Sequence, residues 1–84
     1  MDITLDKLPF KKNGIIKELN VKDDLKVRLL DLGFINNSKI KKLYKSPFND
    51  PCAYLIMGSV IAIRNEDAKN IIVYYREDEC YGIN

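Results

Sequence analysis

Residues 29–34 read LLDLGF, and no other string in the chain constrains the fold as tightly. Leu25, Leu29 and Leu32 recur at i, i+4 and i+7, which places them on one face of a helix. Leu30 widens that stripe, while Lys26, Arg28 and Asp31 point toward water. Gly33 suits the left-handed position just past a helix end, where a Cβ would be costly. Phe34 then folds back against Leu29 in the same terminating motif. Asp23 or Asp24 can accept a first-turn N–H and cap a helix that begins near Leu25. Such a helix over residues 25–32 is shorter than the roughly 12–15 residues that hold a helix together in water. Its stripe therefore needs cover, and we expect a lid over one open end of a sheet.

The rest of the chain reads as short strands. GIIKEL at 14–19 is rich in β-branched residues, and KKNG before it reads as a turn. Asn36-Asn37 turns the chain into a second strand at 39–45, where Ile40 and Leu43 stand three apart, so a bulge or sharp bend is expected. SPFNDP at 46–51 is a loop stiffened by two prolines. CAYLIM at 52–57 and VIAIR at 60–64 flank Gly58-Ser59, a two-residue hairpin turn. Asn65 can cap a single helical turn through Ala68, and IIVYY at 71–75 is a fifth strand. Residues 1–13 show little periodicity, with Leu5 and Leu8 able to tuck onto the body. The pattern predicts a mainly β domain: a small, bent, five-stranded antiparallel barrel, one short α-helix between its first two strands, and closure that hides the strand edges. Residues 1–75 form the domain and 76–84 a polar tail.

Size and composition narrow the chemistry. A chain of 84 residues buries only about 60–65% of its unfolded surface, which leaves no room for a walled internal active site. Histidine is absent, and with it the commonest general base and metal ligand. Cys52 falls in an apolar strand and reads as buried and inert; Cys80 lies among acidic residues, which disfavour the thiolate. The carboxylates Asp23-Asp24, Glu66-Asp67 and Glu77-Asp78-Glu79 are the metal candidates, but helix-start acids more often serve the dipole. We expect no catalytic residues, no metal site and no cofactor, hence no enzyme. No apolar run approaches the roughly 20 residues of a membrane span, and MDITLDKLPF lacks the pattern of a signal peptide, so a cytoplasmic protein with reduced thiols and no membrane insertion is expected.

Two surfaces stand out. Lys41, Lys42, Tyr44, Lys45 and Phe48 would form the basic, aromatic patch of an oligonucleotide-binding barrel, although net charge is only +2 and the three arginines lie elsewhere. The alternative is a protein partner held by the stiff loop and its exposed Phe48, or by an edge strand.

From Leu29 to Val73 the order of tokens is familiar. RLLDLGF, a two-residue turn, a charged strand, SPFNDP, a strand ending at Gly58, then AIR, an acidic turn with Ala68 and a final IIV resemble the FeoA family. The resemblance implies an SH3-like barrel and an accessory role in bacterial ferrous-iron uptake, beside a membrane permease that carries a cytoplasmic G-protein domain. Leu30, Gly33, Asp50, Pro51, Gly58, Ala62 and Arg64 fall at the family's recurring positions. Most have structural explanations, with Ala62 expected in a tight core. Arg64 is the exception: it pairs with Glu66 or Asp67, or meets the partner. Tyr44, Lys45, Phe48 and Arg64 are therefore the expected partner-binding residues, with no nucleic acid expected. Lys42 stands where the family has an apolar residue. The same barrel closes iron-dependent repressors, so a metal-responsive regulatory domain is a further alternative, but no helix-turn-helix is visible here.

Overall fold

The computed structural model describes residues 1–76. It contains six strands: β1 (Asp2–Thr4), β2 (Asn13–Leu19), β3 (Lys39–Lys45), β4 (Cys52–Ile56), β5 (Ser59–Ile63) and β6 (Ile71–Tyr74). A 3-10 turn (Leu5–Lys7) follows β1, helix α1 (Asp23–Asp31) joins β2 to β3, and helix α2 (Asn65–Ala68) joins β5 to β6. All pairings are antiparallel, in the order β1-β6-β2-β3-β4-β5.

The expected five strands become six because Asp2–Thr4 pairs with residues 72–74 of β6. Three residues carry no readable alternation, and their partner lies some 70 positions away. The helix accordingly follows the second strand rather than the first. The expected closure is also corrected. Among the described residues β5 pairs with β4 alone and the sheet stays open, because β6 spends its second edge on β1 and α1 lies beside β5 instead of a strand.

The core is built from Leu5, Leu8, Ile16, Leu29, Phe34, Ile40, Tyr54, Ile56, Ile71 and Val73. The tuck of Leu5 and Leu8 is thus observed. The bulge in β3 is observed too, as a register shift between Lys42 and Tyr44. The hairpin turn sits one residue earlier than expected, at Met57-Gly58, with both residues at positive φ (50° and 79°). That geometry matches the twist of a two-residue hairpin, so β4 stops at Ile56 and β5 starts at Ser59. The turn expected at KKNG centres instead on Lys11, at φ 68°, and Asn13-Gly14 already belong to β2.

The end of α1 is as expected. Gly33 has φ 106°, its N–H donates to Leu30 O at 3.1 Å, and the Phe34 N–H donates to Leu29 O at 2.9 Å. These two bonds satisfy carbonyls the helix would otherwise leave free. Both Leu29 and Phe34 are buried. The start differs: Lys22 is the N-cap and no side chain caps it. Asp23 and Asp24 lie in the first turn, where their charge suits the helix dipole, and Asp24 Oδ1 accepts only from the next N–H, Leu25, at 2.9 Å.

Candidate functional site

The leucine stripe covers the core only in part. Leu29 is buried and Leu25 half-buried, but Leu30 and Leu32 are 41% and 43% exposed. Periodicity says which residues share a face; it does not say how much of that face is covered. α1 is anchored at its C-terminal end by Leu29, Phe34 and the Gly33–Met57 contact, and it lies alongside β5. A cleft of about 180 Å³ separates them.

Leu25, Arg28, Leu29 and Leu32 form the helix side of this cleft, Ile61, Ala62, Ile63 and Arg64 the strand side, and Asp67 of α2 one end. Side chains of a strand alternate between its two faces. Four consecutive residues can therefore line one cleft only if the strand presents its edge to it. Ala62 is exposed at that edge rather than packed in a core. The walls are apolar and the end is charged. Arg64 pairs with Glu66 at 3.9 Å, with both side chains over 70% exposed, so this ion pair contributes little. Arg28 has no ion-pair partner among the described residues.

The loop at 46–51 forms the neighbouring surface. Ser46 Oγ accepts from Asp50 N–H at 3.1 Å. Asp50 Oδ1 accepts from Asn65 N–H at 2.8 Å, and Asn65 Nδ2 donates to Asn49 O at 3.1 Å. Asn65 therefore does not cap its own helical turn; Asp50 satisfies that N–H from across the chain. Asp50–Pro51 is cis, and Pro51 leads into β4 as expected. Phe48 projects from this braced loop at 86% exposure, with Tyr44 and Lys45 also exposed. Arg64 adjoins Asn65 and so stands between loop and cleft. Of the expected partner-binding residues, Tyr44, Lys45 and Phe48 belong to the loop end and Arg64 alone reaches the cleft. Leu25 and Leu32, expected to face inward, line the cleft instead, and Ile61 joins them from β5.

Lys42 leaves the basic patch. It is only 6% exposed, its Nζ donates to Asp6 O at 2.9 Å, and it lies 4.6 Å from the centre of the Phe10 ring. It ties the N-terminal segment to β3, which accounts for a charge where an apolar residue was expected. Cys52 is buried in β4 with its Sγ facing Asn65 Oδ1 at 3.8 Å. Cys80 and the Glu77-Asp78-Glu79 run lie outside the described residues. Among the described residues no three His, Cys, Asp or Glu side chains cluster as a metal would require, and no helix is long and apolar enough to cross a membrane.

The fold is thus a small, mainly β domain with a half-open apolar cleft beside a hydrogen-bonded aromatic loop. Residues 3–75 match the FeoA domain. A Campylobacter jejuni chain that carries the name Fe(2+) transport protein A is 37% identical over 71 residues, spanning 84% of this chain and 96% of that one. In structure, the FeoA protein of Chlorobium tepidum superposes with a TM-score of 0.83 at 24% identity, over 92% of this chain and 74% of the other. Stenotrophomonas maltophilia FeoA, a prokaryotic SH3 domain protein solved with zinc, gives 0.70 at 25% identity, over 84% and 88%. The chain belongs to the FeoA family, the accessory proteins of ferrous-iron transport, and its fold is SH3-like.

Proposed function

We propose that this protein acts in the cytoplasm by docking on the G-protein domain of the ferrous-iron permease, through the cleft between α1 and β5. The cleft carries this reading. Apolar side chains left half-open beside a core with room to bury them are the usual mark of an interaction site. The volume of about 180 Å³ falls below the roughly 300–1,000 Å³ of small-molecule pockets, and suits one or two anchoring side chains of a macromolecule. The protein works by contact and carries out no chemistry of its own.

The test is calorimetric titration of the isolated G-protein domain with wild-type protein, Leu32→Asp and Phe48→Ser. Leu32→Asp is expected to weaken binding at least tenfold without changing the unfolding temperature, and Phe48→Ser to bind as wild type. The loop offers a second reading, favoured by its bracing: an ordered exposed aromatic loses little entropy on binding. The reverse pattern, with only Phe48→Ser impaired, would move the docking surface there. No heat of binding with wild-type protein, with GDP or a GTP analogue present, would end the permease reading.

A further inference from the structure

The edge of β5 specifies how the cleft is filled. A two-residue hairpin at Met57-Gly58 makes Ile56↔Ser59 the hydrogen-bonded closing pair. Narrow and wide pairs then alternate along an antiparallel ladder. Ile61 and Ile63 bond to β4, and Val60 and Ala62 turn their N–H and C=O groups away from it. No other segment among the described residues satisfies those groups. Those of Ala62 open onto the cleft whose far wall is Leu25, Leu29 and Leu32, and those of Val60 continue the same edge toward the hairpin.

Building on the docking reading above, we infer that the partner contributes an extended strand that adds to the β5 edge at Val60 and Ala62, with alternate apolar side chains entering the cleft and an acidic side chain meeting Arg28. Each part answers an observation. Unpaired main-chain donors and acceptors in a row are matched by another main chain. A strand places every second side chain on one face, so one face meets the leucines of α1 while the other stays in solvent. Arg28 lines the cleft without an ion pair among the described residues, and with Arg64 it outnumbers the one carboxylate there, Asp67, so the cleft carries a net positive charge that an acidic side chain of the occupant would meet. A helix seated in the cleft would leave the edge amides open to water, because its own backbone groups are bonded within it.

The test reads those amides. Hydrogen exchange by NMR is followed at Val60 and Ala62 in the free protein and at saturation with two probes: the isolated G-protein domain, and the tightest binder from a displayed library of 12-residue peptides. The inference expects exchange at both amides to slow at least tenfold with each probe. It also expects enriched peptides to alternate apolar and polar residues, to carry Asp or Glu, and to bind Arg28→Ala less tightly. Ala62→Pro removes an edge N–H that β4 does not use, so it is expected to lose binding while Ala62→Ser keeps it. Should Ala62→Pro fail to fold, exchange in wild-type protein still decides.

Binding of the G-protein domain without protection at Val60 and Ala62 would overturn strand addition and leave the docking reading standing. Failure of that domain to bind, with peptides still protecting both amides, would overturn the docking reading and keep strand addition. Peptide binders that leave both amides unprotected, or no binders at all, overturn strand addition. Protection already present in the free chain and lost on truncation after Arg76 would make the chain's own residues 77–84 the occupant. Protection that rises with protein concentration would make it a second copy. Either of these replaces the inference.

Discussion

Lys42 enters the interior among apolar neighbours because its charge finds two partners there, the Asp6 carbonyl and the Phe10 ring. Its stem packs as a hydrophobe while its ammonium ion holds the N-terminal segment. Lys42→Ala removes stem, bond and ring contact together, and we expect a loss of about 2–3 kcal/mol. Lys42→Met keeps the stem volume and is expected to cost about 1 kcal/mol. Urea denaturation at pH 7 measures both, and equal losses would refute the role of the stem. Tyr54 is the opposite case. It is fully buried, and its hydroxyl has no hydrogen-bond partner among the described residues. Burial raises its pKa well above the usual tyrosine value, with Cys52, Asp6 and Asp50 adding to the shift. Tyr54→Phe removes an unsatisfied polar group, so a gain of about 1 kcal/mol is expected at pH 7. In the unfolded chain Tyr54 ionises near pH 10, whereas in the folded protein it stays neutral to higher pH. The unfolded state therefore holds fewer protons above about pH 10, and folding stability falls as pH rises there. The advantage of Tyr54→Phe should widen over the same range. An advantage independent of pH would contradict the buried, neutral hydroxyl.

At the scale of elements, what was legible depended on how local the determinant is. The end of α1 could be read because glycine, its conformation and the back-folded Phe34 lie within six consecutive residues. The space around Gly33 could not. A Cβ there would collide with the Met57 side chain, brought in by the β4–β5 hairpin from another part of the sequence. Gly33→Ala thus suffers twice, from its backbone conformation and from the collision, and we expect a loss of about 2–4 kcal/mol. Met57→Ala in the same chain should return the collision component and leave about 1–2 kcal/mol. A double-mutant cycle that shows simple additivity would show the two residues to be uncoupled. The hairpin lies one position before Gly58-Ser59, and nothing in the sequence announces that Met57 adopts positive φ. The first N–H of α2 is satisfied not by a neighbouring side chain but by Asp50, fifteen residues away, which no local pattern announces. Asp50→Ala should cost about 1–2 kcal/mol, in line with loss of a helix cap. Phe48→Ala in the same loop should leave the unfolding temperature unchanged, since its side chain is almost wholly exposed. Differential scanning calorimetry of the two variants tests whether the loop is held by Asp50 rather than by Phe48.

Across the whole molecule, the two edges of the sheet are treated differently, and this asymmetry links fold to function. At one edge the chain start covers β6: the Met1 ammonium donates to Tyr75 O at 3.0 Å and the Tyr75 N–H to Met1 O at 2.8 Å, extending the β1 pairing. Removal of β1 would bare the β6 ladder beside the buried Ile71 and Val73. At the other edge β5 carries no charge and has no second strand beside it among the described residues, and Val60 is 56% exposed. Sequence patterning shows both strands as apolar runs but cannot say which has a neighbour, because edge and centre differ in pairing and not in composition. An edge left apolar is a liability for a monomer, and it persists here next to a cleft that accommodates an added strand. The two edges should therefore fail differently. A chain lacking residues 1–4 is expected to lose several kcal/mol and to self-associate as concentration rises, through the uncovered β6. Val60→Lys is expected to stay within about 0.5 kcal/mol of wild type and to remain as dispersed as wild type, while binding the G-protein domain at least tenfold more weakly. Sedimentation velocity over a range of concentrations, paired with the same titration, separates the two. A truncated chain that stays monomeric and stable, or a Val60→Lys variant that binds as wild type, would show that the cover on one edge and the opening on the other have no bearing on what this protein does.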